Sequence, residues 1–232
     1  MAQEKEAVMS VPQISLVALF VTALITAQVT ASKVVEIGLP FGVPVTGDSI
    51  LVPAAVFAYA LTFFASDCYT ELYGKRAAQA LVNVAFLMNF VLLALVWLAI
   101  YAPIFPDSPV GQEPFAETLG ASTGVVVGSL LAYIVSQNWD VVVFHRLREF
   151  SDGEDLWLRN IVSTATSQLI DTFVFITVAF IVFQGVPLEV GVALFVGQYI
   201  FKLGLVALDT PFVYAVVGAV RSQDVVRTGT SE

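Results

Sequence analysis

The chain has 232 residues, 58% of them hydrophobic and 12% charged, with a net charge of −9 and a mean hydropathy of +0.86. Soluble domains do not sustain so high an apolar fraction with so few charges, so the composition describes an integral membrane protein. The negative charge belongs to loops and tails; it argues against a polybasic nucleic-acid or lipid-surface role, and it also suits a high-salt cytoplasm.

A hydrocarbon core of about 30 Å needs about 20 apolar residues per helix. Six runs qualify, at about 12–31, 50–67, 80–102, 119–143, 161–183 and 190–218. Without period-2 alternation they read as helices rather than barrel strands, which predicts an all-α fold. The expected organisation is a short tail over 1–11, one six-helix transport domain over 12–220 and a second tail over 221–232, with no separate soluble domain. The opening MAQEKEAVMS lacks the basic n-region of a cleaved signal peptide, so the first run reads as a retained helix. Lys5, Lys75, Arg76, Arg146, Arg148, Arg159, Arg221 and Arg227 fall on one side of the six runs, leaving only Lys33 and Lys202 elsewhere. By the positive-inside rule both termini then face the cytoplasm.

Helix 2 opens near Pro53, where a missing N–H costs little, and ends in ASDCYTELYGKRAAQ. There Asp67 and Glu71 share a face near the cytoplasmic boundary, either as a solvated helix end answered by Lys75 or as a gate. Helix 4 opens with Gly120, Gly124 and Gly128 on one face, which favours close helix packing, within the chain or in a homo-oligomer. The stretches SQNWD at 136–140 and SQLID at 167–171 echo each other, and each sets an amide beside a carboxylate, Gln137 with Asp140 and Gln168 with Asp171. In helix 6, Pro211 should free the carbonyl of Ala207 and break the helix beside Asp209.

An ionisable group inside a spanning helix costs about 2.5–3.5 kcal/mol near its centre, so it faces a partner, water or a bundle interior. Asp171 is the deepest acid, and Lys202 lies at similar depth on helix 6. The plain alternative is a buried ion pair that only fixes helix packing. Against it stands the company of Ser163, Thr164, Ser167, Gln168 and Gln198, more donors and acceptors than an ion pair needs.

No G-x-x-x-x-G-K-[ST] loop is present, so the chain does not itself hydrolyse nucleotide. The single histidine, His145, lies in a basic loop and the single cysteine, Cys68, has no disulfide partner, so no metal site or other cofactor is expected. A carboxylate-dependent intramembrane hydrolase using Asp171 with Asp140 or Asp209 and a cation channel are the readings from other classes, but the many amides and hydroxyls look more like recognition than proton shuttling.

The stretches SDCYTELYGKRAA, SQNWDVVVFHRLRE and LWLRNIVSTATSQLIDTFVF, with Lys202 and DTPFVY, resemble the queuosine-precursor transporter family, also described as vitamin-uptake-like. The resemblance implies six membrane helices and uptake of a 7-deazaguanine base of the preQ0 or preQ1 kind, a precursor of a modified nucleoside in transfer RNA. In a salt-loving archaeon that nucleoside would be archaeosine. A non-enzymatic transporter of the cell membrane follows, with a small nucleobase-like substrate and the lipid bilayer as its partners and no nucleic acid. The expected substrate site is Gln137, Asp140, Asn160, Ser163, Thr164, Gln168, Asp171 and Lys202, walled by Phe175, Trp139 and Tyr199. Asp67, Glu71, Arg159 and Asp209 would gate it or couple it to an energy source. A rival within transport is a membrane subunit that binds substrate but needs a separate ATPase module.

Overall fold

The computed structural model describes residues 9–43, 45–150 and 156–229; within these, side chains are described except at 144, 148–150, 156–161, 206, 207 and 223–229. Ser10 caps the first helix, its hydroxyl accepting from the Gln13 N–H at 3.3 Å, and helix α1 runs Val11–Thr30. Helix α2 (Val56–Tyr73) turns sharply into α3 (Lys75–Tyr101) at Gly74, whose φ of +85° is open to glycine and costly for a residue with a Cβ. A short α4 (Gln112–Gly120) precedes α5 (Ser122–Phe150), and α6 (Leu156–Ile176) continues into a π-helical turn at Thr177–Phe183 before α7 (Leu188–Gly229).

Five segments among the described residues are long and apolar enough to cross a membrane, at 11–30, 75–101, 112–147, 162–183 and 188–222. The predicted second span differs. Its first residues are not helical: they form strand β2 (Gly47–Pro53), paired antiparallel with β1 (Val34–Val43), so Pro53 ends a strand instead of opening a helix. Val34 faces Pro53 and Ile37 faces Ile50, with a register irregularity between Gly38 and Val43. Val43, Ile50 and Val52 form a buried face that packs with Val196, Ile200 and Phe201 of α7. The fold is thus mostly helical with one hairpin, and α2 itself is not among the five long apolar segments.

A second difference lies in α7. The helix runs unbroken through Pro211 and continues past 218 to Gly229, so the expected break beside Asp209 is absent. The glycine face of α5 is used within the chain. A Cβ on Gly124 would fall 2.5 Å from Phe183 Cβ, and one on Gly128 would fall 3.0 Å from Ala179 Cβ, so the π-helical turn sits where only glycine leaves room.

Two apolar layers enclose the middle of the bundle. At the hairpin end, Ala27, Ala55, Val125, Phe175, Phe180 and Leu194 pack together; at the end where α2 turns into α3, Leu16, Phe20, Ala65, Cys68, Leu81 and Val217 do so.

Candidate functional site

Between these layers lies a cavity of about 220 Å³ to which α1, α2, α3, α5, α6 and α7 all contribute. That is space for a small planar molecule and not merely for an ordered water. Its walls are largely apolar, including Phe20, Phe63, Phe86, Phe175 and Phe201, and its polar groups converge from separate helices. This combination of apolar walls and a few placed polar groups is the usual make-up of a small-molecule site.

The charged centre is a pair. Lys202 Nζ donates to Asp171 Oδ2 at 2.7 Å and to Thr172 Oγ1 at 3.2 Å, joining α7 to α6. Thr172 is fully buried and in turn donates to the Gln168 carbonyl at 2.9 Å. Among the described residues the other carboxylate oxygen, Asp171 Oδ1, meets the Ser136 hydroxyl at the 3.5 Å limit of a hydrogen bond, and it keeps acceptor capacity.

Gln198 stands one turn before Lys202 on the same helix. It is 5% exposed, lines the cavity, and its Oε1 has no hydrogen-bond partner among the described residues. Such an acceptor costs about 1–3 kcal/mol until something donates to it. Its position is fixed from behind, because its neighbour Gly197 lies against the backbone of Leu51 in β2. Across the cavity, Ser129 hydrogen-bonds the Tyr59 phenol and approaches the fully buried Gln28 at 3.5 Å. Tyr133 accepts from Gln79 Nε2 at 2.8 Å.

The residues singled out from the sequence divide by place. Gln137, Gln168, Asp171, Lys202 and Phe175 line the cavity together. Asp140 lies one turn beyond Gln137, outside the lining, with its Oδ1 unpartnered among the described residues. Ser163 is buried and Thr164 exposed, both on α6 beyond the cavity. Trp139 donates its ring N–H to Thr166 Oγ1 at 3.2 Å, and Tyr199 stacks on Phe195; neither forms a wall. The side chains of Arg159 and Asn160 lie outside the described residues.

Asp67 and Glu71 line a second cavity of about 280 Å³ with Thr70, Thr210, Tyr214 and Arg221. Arg221 donates to the Glu71 carbonyl at 3.0 Å and approaches its carboxylate at 3.8 Å. Asp209 is buried on α7, within electrostatic reach of Asp67.

Tyr59, Thr62, Ser66, Ser129, Tyr133 and Ser136 are lining residues that sequence reasoning passed over. Hydroxyls inside helices carry a weak signal, because they can bond back to their own helix, as Thr62 does to the Tyr59 carbonyl. Gln198 did carry one: a deep amide one turn from a deep ammonium.

Residues 53–216 match the model of a protein family described as "Putative vitamin uptake transporter". A Bacillus subtilis protein named "Probable queuosine precursor transporter" is 34% identical over 202 residues, covering 83% of this chain and 79% of that one. A Haemophilus influenzae protein of the same name is 29% identical over 119 residues, 51% of this chain and 47% of that one. No solved structure matches the chain.

Proposed function

Because the chain belongs to this vitamin uptake transporter family, and is a multi-pass protein of the cell membrane, we propose that it carries a 7-deazaguanine base, a queuosine-type precursor, through the six-helix cavity. The observation that carries this reading is the grouping, in one largely apolar cavity, of a carboxylate oxygen with spare capacity, an unpartnered amide oxygen and an ammonium. A guanine-like edge presents adjacent N–H groups and a carbonyl, and this set supplies acceptors and a donor for them. In this reading Asp171 Oδ1 and Gln198 Oε1 accept from the ring, Gln168, Gln137 and Lys202 donate or orient, and Phe175 flanks the plane. Failure to satisfy such buried groups costs about 1–3 kcal/mol each, which lets the site reject purines with a different edge.

The orientation that goes with it has α2 as a sixth span and both termini cytoplasmic, as the distribution of Lys and Arg favours. The hairpin then lies on the outer side, and the cavity of Asp67 and Glu71 opens inward as an exit, with Asp209 beside it. In this orientation Asp140, Asn160, Arg159, Ser163 and Thr164 belong to the inner halves of α5 and α6.

The test is saturable uptake of labelled 7-deazaguanine bases by liposomes containing only this purified protein, with and without a proton gradient. Uptake competed by guanine-like bases supports a self-sufficient carrier, and its gradient dependence reports the energy source. Binding without uptake would point to a missing partner module, and absence of both would sink the substrate assignment. Gln198→Leu supplies a sharper check. It should weaken binding of the base about tenfold, the worth of one buried hydrogen bond, while leaving thermal stability unchanged or slightly higher because an orphan acceptor is removed. Binding isotherms and melting curves on the same preparation separate the two effects.

A further inference from the structure

Asn89 of α3 is fully buried, and neither its Nδ2 nor its Oδ1 has a hydrogen-bond partner among the described residues. Gln28 of α1 is fully buried as well, and its Nε2 is in the same condition. Buried amides are paired in nearly all folded proteins, so two stranded ones in a single bundle call for a cause.

The packing sets them on one level. Both helices leave the apolar layer at the α2–α3 turn in the same direction: Leu24 and Ala85 belong to that layer, and one turn further along each helix come Gln28 and Asn89. Two contacts fix the register of α3 against α5. Phe86 stacks on Tyr133 with ring centroids 4.5 Å apart, and Trp97 donates to Thr123 Oγ1 at 3.1 Å. Asn89 follows Phe86 by three residues and Ser129 precedes Tyr133 by four, which puts both on the Trp97 side of that stack, about 4.5 and 6 Å along their helices. Ser129 completes the group, its hydroxyl approaching Gln28 Oε1 at 3.5 Å.

We propose that Gln28, Asn89 and Ser129 hold one or two internal water molecules where α1, α3 and α5 meet, behind the wall of the central cavity. The chemistry of the stranded atoms selects water over an ion. They are two NH₂ donors and one carbonyl acceptor. A cation would face the two NH₂ groups, and an anion would face Asn89 Oδ1. Turning either amide over exchanges its oxygen and nitrogen and leaves the set mixed. An apolar guest would pair with none of them. Water donates and accepts at once, and a buried water makes about three hydrogen bonds to protein, enough for the three stranded atoms. The result is an uncharged polar row that crosses four helices: Asn89 on α3, the water, Gln28 on α1, Ser129 on α5 and the Tyr59 phenol on α2, to which Ser129 is hydrogen-bonded. It ties these helices together on the far side of the bundle from the Asp171–Lys202 pair, which joins α6 to α7. The site does not depend on which molecule the central cavity takes.

A structure of the wild-type protein, at a resolution that shows ordered solvent, decides the matter without any variant. It should place a solvent peak within about 2.7–3.2 Å of Gln28 Nε2 and of an amide atom of Asn89. A direct hydrogen bond between the two amides, with no peak beside them, overturns the proposal. A peak contacted by oxygen atoms alone would be a cation and overturns it too. Melting temperatures give an independent reading. Gln28→Leu and Asn89→Leu each remove one side of the water's hydrogen bonding and leave the other amide stranded, so each should lower the melting temperature by several degrees. The double variant has neither amide left to strand and should lose clearly less than the sum of the two. Strictly additive losses in folded variants would show that the amides share no water, and the proposal would fall.

Discussion

Asp171→Asn is expected to reduce uptake at least about a hundredfold, because two charge-assisted hydrogen bonds of about 1.5 kcal/mol or more each are lost or weakened. The amide that replaces the carboxylate has one oxygen with which to accept from either the ring or Lys202, and its NH₂ group turns a donor toward donors. The substitution also has a structural cost. It leaves the Lys202 ammonium without a counter-charge inside the bundle, beside neutral acceptors such as Thr172 Oγ1. Breaking a buried pair by removing one partner costs about 3–5 kcal/mol, and the partial exposure of this pair puts it toward the lower end. Loss of uptake by the single variant is therefore ambiguous by itself. The double variant Asp171→Asn with Lys202→Gln removes both charges and should recover the parent's melting temperature in detergent while remaining inactive. Normal uptake by that double variant would take the carboxylate out of the mechanism; recovery of stability without uptake would assign it to the substrate. Asp140→Asn, outside the lining, should stay within about twofold of wild type in both assays.

The other large effect belongs to Gly197→Ala. A Cβ at this position would lie 2.2 Å from the Leu51 carbonyl oxygen and 3.0 Å from the Leu51 nitrogen and carbonyl carbon. Those are backbone atoms of a paired strand and cannot swing aside as a side-chain tip does. Relieving the clash requires α7 and the hairpin to separate, at a cost of about 2–3 kcal/mol by analogy with overpacked cores, or roughly 5–10 °C in melting temperature. Uptake should fall with it, because the residue that moves next is Gln198. Gly204→Ala on the same helix meets nothing within 4 Å and serves as the matched control, with improved helix propensity and no loss. Equal melting temperatures for the two variants would show that the hairpin is not seated on α7 as described.

Much of the site could be read before any coordinates, for a reason that applies to few positions. Charge in the middle of an apolar helix is so costly that Asp171 and Lys202 had to answer one another, and the spacing of Gln168 fixed the face. Nothing comparable marks a serine or a tyrosine, so Tyr59, Ser129 and Ser136 became visible only when three helices met. Thr164 shows the converse: it lies on the same stripe as Gln168 and Asp171, yet the cavity ends before reaching it. The hairpin was missed because ILVPAAVFAYALTFF is apolar throughout, and an unbroken apolar run does not distinguish a buried strand from a helix. Pro211 misled in the other direction, since a proline removes one hydrogen bond and need not end a helix whose flanks are held by packing.

The hairpin also leaves an edge. Its strands form a sheet of only two, so each has an outer edge of backbone N–H and C=O groups, and Glu36, Gly38 and Phe41 along it are exposed. Open sheet edges are not tolerated against hydrocarbon, so the exposed edge of β1 must meet water, headgroups or protein, while β2 is sheltered against Val196, Ile200 and Phe201 of α7. Beside it, α2 at 18 residues is about 27 Å long, whereas α3 at 27 residues is about 40 Å. Helices of such unequal length must tilt or protrude by different amounts when the bilayer thickens or thins.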